Sequence, residues 1–256
     1  MSAPVAQPAE LPPHTGLFDG PRRHACPWCG SERLRSRPAV DGFALDECAD
    51  CAHAFRNPVP DAGALPPREL RGSGRRLTAT ARAMLPFGEP ESWLDIGTGD
   101  GAFPAAAKRV FPYTSFDGVD PTARVERAQA AERVEEAYAG DPTNPHLMAH
   151  LRSRYDVVSL LHHLAHTPNP RAQLQAALTA LRPGGHVLLE LPDPEAAFTR
   201  LAGRWWHART RPLHLLPPRN IRTELESRGC ETITIRRDPF LPHYRIVARK
   251  PRPGGG

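Results

Sequence analysis

The sequence predicts an α/β protein: a Rossmann-like, doubly wound, mostly parallel sheet with an antiparallel edge strand, preceded by a small zinc ribbon. Three observations carry this. From residue 91 onward, short apolar runs alternate with helix-like segments rich in Ala and Arg, the pattern of a parallel sheet covered on both faces. The stretch "SWLDIGTGDGAFPAAA" places glycines at 97, 99 and 101 between a strand-like and a helix-like run. Two CxxC pairs, Cys26 with Cys29 and Cys48 with Cys51, flank a hairpin-like segment near the N-terminus.

The 256 residues, 40% of them hydrophobic, suffice for one substantial core and a small satellite. The net charge of +5 comes from scattered arginines, which suits solubility better than a dedicated polyanion site. No apolar run reaches the roughly 18 residues of a membrane helix. The start "MSAPVAQPAELPPHTG" lacks basic and apolar signal regions, so no membrane partner and a cytoplasmic location are expected. Its prolines predict a disordered lead over 1–20, and "PRPGGG" predicts a disordered tail over 251–256.

Residues 21–60 read as the ribbon module. Within it "RLRSRPAVDGFALDEC" predicts two short strands around a turn at Asp41–Gly42. Four cysteines in two knuckles, 18 residues apart, suit a closed tetrahedral site. Cys26, Cys29, Cys48 and Cys51 are therefore the predicted ligands of one structural zinc. His24 and His53 flank the knuckles, but four thiolates already complete the shell. A proline-rich linker and a helix over "RELRGSGRRLTATARAML" fill 61–90, with Gly72 and Gly74 weakening the first turns.

The main domain is expected over 91–250. "SWLDIG" is a strand, "GAFPAAAKRVF" a helix, and "SFDGVD" a second strand. "PTARVERAQAAE" is a helix with Pro121 in its first turn. "RVEEAYAGD" holds a third strand and "YDVVSLLHHL" a fourth. After the helix "RAQLQAALTAL", the turn "RPGG" leads into the fifth strand, "HVLLELP". The helix "PPRNIRTELESRG" precedes "CETITIRR" and "HYRIVARK", whose closeness predicts the antiparallel edge.

The strand ending in Asp95-x-Gly97-x-Gly99-x-Gly101 opens a helix, which is a nucleotide-cradling arrangement. Glycine permits the tight turn and a close backbone approach, and the helix start offers N–H groups. Asp120 ends the next strand 25 residues after Asp95, where a carboxylate can accept ribose hydroxyls. No Gly-Lys-Ser/Thr follows, so this is not a Walker loop. The spacing G-x-G-x-G also differs from the G-x-G-x-x-G of nicotinamide enzymes.

In this order, "LDIGTGDG", "GVDP", "YDVVSLLHHL" and "LRPGGHVLLELP" resemble the class I S-adenosylmethionine-dependent methyltransferases over roughly residues 75–250. The resemblance implies S-adenosyl-L-methionine as cofactor. It sets Asp95, Gly97, Gly99 and Gly101 against the methionine part, Asp120 on the ribose and Asp141 beside the adenine. The pattern C-P-x-C-G followed by C-x-x-C-x-H-x-F-x-N-P resembles the zinc-binding leader of relatives in sugar, secondary-metabolite and envelope-glycan pathways. That implies methyl transfer to an O or N acceptor, less readily C, on a small-molecule or carbohydrate-like intermediate. One ribosomal-RNA methyltransferase group also carries an N-terminal zinc module, and "SERLRSR" offers phosphate contacts. RNA methylation is thus the alternative, and a fold member with other chemistry or no catalysis is a third reading.

A hydroxyl or ammonium acceptor must lose a proton, and histidine is the natural base near neutral pH. His162 and His163 lie at the crevice end of the fourth strand, where strand alternation would aim them oppositely. "PLHLLPPRNIRTELESRGC" is similar to the relatives' substrate-lid stretch and adds His214 as a third candidate. Trp205 and Trp206 fit either an aromatic pocket or the core.

Overall fold

A computed structural model describes residues 22–40, 43–58, 74–196, 212–238 and 241–252. The lead at 1–20, the turn at Asp41–Gly42, most of the linker, Trp205 and Trp206, and the end of the tail lie outside these residues.

The ribbon is built from β1 (Leu34–Val40), β2 (Phe43–Cys48) and β3 (Ala54–Arg56), consecutively antiparallel. Each CxxC pair closes in the same way. Gly30 N–H donates to the Cys26 carbonyl at 2.9 Å, and Ala52 N–H to that of Cys48 at 2.9 Å. Gly30 and Ala52 both have positive φ, +79° and +53°, so the chain turns back on itself after each pair.

The remaining elements, in chain order, begin with α1 (Gly74–Ala81), which runs into a 3-10 turn. There follow β4 (Ser92–Ile96), α2 (Ala102–Ala107), β5 (Ser115–Asp120), α3 (Arg124–Ala130), β6 (Ala137–Ala139) and α4 (Pro145–Leu151). Next come β7 (Tyr155–Leu161), α5 (Pro170–Ala180), β8 (Leu181–Pro192) and β9 (His214–Leu215). The chain ends with α6 (Pro218–Ser227), β10 (Glu231–Arg237) and β11 (His243–Arg249). The large sheet has the order β10-β11-β8-β7-β4-β5-β6. From β8 to β6 it is parallel, while β11 is antiparallel to β8 and β10 to β11. The fold is therefore the expected one, with the single antiparallel strand, β11, lying one place in from the edge strand β10, which again runs with the sheet.

Alternation along β4 explains the two-sided core. Trp93 packs with Phe103, Phe111 and Phe116 on one face. Leu94 and Ile96 join Val158, Leu160, Leu174, Leu189, Ile221 and Tyr244 on the other. Burying each such side chain stabilises the fold by about 1.5–3 kcal/mol. No helix among the described residues is long and apolar enough to cross a membrane.

Three local expectations change. Helix α4 was not anticipated: Asn144 caps it by accepting the His146 N–H at 2.9 Å, with Pro145 in its first turn, so "NP" marks a helix start. Helix α3 begins at Arg124 rather than Pro121, because the Asp120 carboxylate draws the Thr122 N–H back at 2.9 Å. The "RPGG" stretch lies inside β8 as an irregularity, since the pairing slips between Tyr155–Leu181 and Val157–His186.

The least anticipated element is β9. It pairs with β3, setting His214 opposite Phe55 and Leu215 opposite Ala54. The ribbon sheet is thus completed by chain that follows β8. Arg56 reinforces this seam by donating from its N–H to the Leu213 carbonyl at 2.9 Å and from Nε to the Pro212 carbonyl at 3.1 Å.

Candidate cofactor cleft and active site

The chain leaves β4 toward β5 and β6 on one side, and β7 and β8 lie on the other. The carboxyl ends of β4 and β7 therefore frame the crevice where open parallel sheets bind ligands. Gly97, Gly99 and Gly101 follow β4 with φ of +78°, +54° and +75°. A side chain at 97 would overlap the His163 ring, and one at 101 would meet Arg133 and Ala128 below 3.0 Å. The glycines are needed both for the turn and for what presses against it.

Asp120 faces this loop from the end of β5. Its Oδ2 accepts the Gly99 N–H at 2.9 Å, and its Oδ1 accepts from the backbone and hydroxyl of Thr122. This fixes the carboxylate beside the glycine loop. Asp95 ends up fully enclosed: Ser159 Oγ donates to it at 2.5 Å, and Trp93 Nε1 donates to Ser159 at 2.9 Å. Burial pushes the Asp95 carboxyl up to about 7, helped by the nearby Asp120 charge and opposed by Ser159 and Thr98. Asp100 grips the start of α3 through Arg124 at 2.6 Å and Arg127 at 2.8 Å, so the loop and α3 are tied together.

His162 and His163 do diverge, but not through strand alternation. β7 ends at Leu161, and His162 takes a left-handed conformation with φ +57°. His163 sits against Gly97. Its Nε2 lies 3.1 Å from Gln173 Oε1, and Gln173 Nε2 donates to Asp141 Oδ1 at 2.8 Å. An ionised carboxylate only accepts, so the Gln173 amide nitrogen is committed to Asp141 and its oxygen to His163. The His163 proton is thereby assigned to Nε2 and the lone pair to Nδ1, the nitrogen that a Cβ at Gly97 would strike. Asp141, expected beside adenine, is thus also the anchor of this relay.

His162 turns the other way, into a cluster that sequence reasoning missed. Its Nε2 lies 2.9 Å from Glu190 Oε1 and 2.6 Å from Arg76 Nη2. Arg76 also pairs with Glu190, and Arg245 holds the other oxygen at 2.9 Å, beside Thr80 at 3.1 Å. Burial opposes ionisation of Glu190, but the His162 hydrogen bond and the two guanidinium charges hold it far below the usual carboxylate range. His243 stands edge-on to His162 with centroids 5.0 Å apart. Though His162, Glu190 and His243 lie within ligating distance of one another, two arginines already neutralise the carboxylate, which disfavours a dication there. A signal was available: Glu190 interrupts the apolar run "HVLLELP", and a lone buried acid needs cationic partners.

His214 departs most from expectation. Rather than lining a lid at the crevice, it is fully buried in β9, stacked on His53 at 5.1 Å. Burial and neighbouring positive charge push its imidazole well below the ordinary value. Its place in the strand seam removes it from the cleft and from the role of base.

The four cysteines do converge. Cys26 and Cys51 sulfurs are 3.7 Å apart, and those of Cys29 and Cys48 3.6 Å; all four lie within 4.8 Å of one another. A tetrahedron with about 2.3 Å metal–sulfur bonds has edges of about 3.8 Å, so the donor set fits zinc. A hydrogen bond from Cys51 and another from His53 draw the Cys26 thiol well down against burial.

A glycine loop at the switch point of a mostly parallel sheet, with a carboxylate fixed beside it at the end of the next strand, is the architecture of the class I S-adenosylmethionine-dependent methyltransferases. Residues 69–235 match the family described as a methyltransferase domain, and the chain belongs to it. Among curated proteins it is similar to the ubiquinone biosynthesis O-methyltransferase of Shewanella pealeana, 35% identical over 96 residues, covering 37% of this chain and 40% of that one. The match therefore spans well under half of that relative's length. Two solved structures share the fold. One is an N-methyltransferase from Bradyrhizobium japonicum in complex with S-adenosyl-L-homocysteine (TM-score 0.51, 17% identity, 70% of this chain and 87% of that one). The other is a [4+2]-cyclase (TM-score 0.55, 16% identity, 72% and 86%).

Proposed function

We propose that the protein transfers a methyl group from S-adenosyl-L-methionine to an oxygen atom of a small-molecule biosynthetic intermediate. The single observation that carries this is the cleft itself: Gly97 to Gly101, held by Asp120 through Gly99 N–H, faces His163 across the carboxyl ends of β4 and β7. The cofactor supplies an electrophilic methyl on a sulfonium. Asp120 would take the ribose hydroxyls, the glycine backbone the methionine part and Asp141 the adenine side. The fold alone does not select the reaction, since a cyclase shares it. The O-methyltransferase relative favours an oxygen acceptor.

In this reading the chain aligns the acceptor hydroxyl with the methyl group and takes its proton on His163 Nδ1. Gln173 and Asp141 hold the tautomer that keeps Nδ1 basic. His162, engaged by Glu190 and Arg76, shapes the neighbouring wall instead. The same reading assigns one structural zinc to Cys26, Cys29, Cys48 and Cys51.

The test is turnover of phenolic, catecholic and sugar-hydroxyl acceptors with S-adenosyl-L-methionine, read as methyl addition by mass spectrometry. Oxygen methylation is expected, and His163→Ala should lower kcat by about 10²–10⁴-fold with cofactor affinity retained. Methylation confined to amines or to RNA would overturn the assignment of acceptor.

A further inference from the structure

His53 and His214 are the two fully buried histidines of the seam between the ribbon and the main domain, and the proposed chemistry uses neither. His53 Nδ1 lies 3.5 Å from Cys26 Sγ, and His53 Nε2 lies 3.1 Å from His214 Nδ1. The two rings stack, and Phe55 tilts against His53 at 5.3 Å. A metal-bound thiolate carries no proton and can only accept. His53 Nδ1 must then bear the hydrogen, Nε2 must accept, and His214 must donate from Nδ1. Each nitrogen on this path has one role, set in turn by the sulfur.

The path continues into the active site through backbone. His214 follows Leu213, whose N–H donates to the Ala165 carbonyl at 2.7 Å, and whose carbonyl accepts the Arg56 N–H of β3 at 2.9 Å. Ala165 closes the 3-10 turn His163–Ala165, the turn that carries the candidate base. The metal knuckles, β3, β9 and the catalytic turn are therefore joined by hydrogen bonds and the one peptide link between Leu213 and His214.

We infer that His53 and His214 form the outer shell of the zinc site and couple its occupancy to the position of the His163 turn. They are positioning residues: His53 donates to the Cys26 thiolate, His214 orients His53, and β9 holds Ala165. The ribbon thus acts as a metal-dependent brace on the active site. This rests on the zinc assignment proposed above.

The experiment uses the full chain with zinc, and with cobalt(II) in its place. The variants are His53→Phe, which fills the space without a donor, and His53→Asn, whose amide can still donate to the sulfur. Zinc transfer to a chromogenic chelator should show a loss of affinity of about 10–100-fold in His53→Phe and a largely restored value in His53→Asn. In the cobalt form, the sulfur-to-metal charge-transfer band should move to lower energy in His53→Phe, because a thiolate without its N–H donor is richer in electrons. In the wild type, zinc removal should raise amide exchange at Leu213 and at Ala165–His166, while strands β4 and β5 stay protected. An affinity within twofold of wild type in His53→Phe together with an unmoved band would overturn the inference. Exchange at 165–166 indifferent to zinc would also overturn it, and needs no variant to fold. A wild type that purifies without zinc and takes none up would instead sink the metal assignment itself.

Discussion

Replacing Asp95 by asparagine should make the protein more stable at pH 8. The carboxyl is fully buried at the end of β4, and burial lifts it to about 7. In the unfolded chain it titrates near 3.9. Between about pH 4 and pH 7 the native state therefore holds a proton that the unfolded state has released. Stability falls as pH rises through that window, and above it the loss is complete. About three pK units at roughly 1.4 kcal/mol each give a cost of the order of 4 kcal/mol at pH 8. Asparagine is neutral at every pH and keeps an oxygen for the Ser159 hydroxyl. Urea denaturation of both proteins at about pH 5 and pH 8 should show the wild type losing roughly 2–3 kcal/mol more than Asp95→Asn across that interval. Parallel losses, or an Asp95→Asn variant as far below wild type at pH 8 as at pH 5, would refute the reasoning.

Other substitutions test the remaining parts. Gly97→Ala forces a side chain into positive φ and into the His163 ring, and should cost about 1–3 kcal/mol with at least tenfold weaker cofactor binding in calorimetry. Glu190→Gln removes the carboxylate between Arg76 and Arg245, and should cost about 2–3 kcal/mol at pH 7 because two partly buried cations lose their counter-charge. Since Glu190 is held low when folded, that deficit should shrink as pH drops below about 4, where the unfolded wild-type chain takes up a proton that the folded carboxylate still excludes; a deficit unchanged in acid would contradict the ion-pair account. Gln173→Leu removes the relay behind His163, and should lower kcat and shift the acidic limb of its pH profile while leaving KM for the cofactor near wild type.

Much of the site was legible because its parts are local. Asp95, the three glycines and Asp120 are fixed by the end of one strand and the end of the next, and parallel pairing of β4 with β5 brings them together. The cysteine knuckles are likewise set by short spacing. What the sequence hid depends on contacts between distant segments. The partners of Glu190 come from α1 and β11, and Arg76 and Arg245 stand 114 and 55 residues away from it. His214 was misplaced for the same reason: a two-residue strand carries no period, and the partner its ring meets, His53, stands 161 residues away. Helix α4 was overlooked because Asn-Pro serves equally as a turn signal and as a cap.

The most direct measurement is a calorimetric titration of the full chain with S-adenosyl-L-homocysteine, in wild type and in Asp120→Ala, with NADH as the control ligand. The cleft geometry predicts a micromolar-scale dissociation constant for the wild type and a loss of about 1.5–3 kcal/mol in Asp120→Ala, the value of charged hydrogen bonds to the ribose. It also predicts no comparable heat from NADH. Tight NADH binding with no response to S-adenosyl-L-homocysteine, or an Asp120→Ala variant that binds as well as wild type, would contradict the placement of the cofactor between the glycine loop and Asp120.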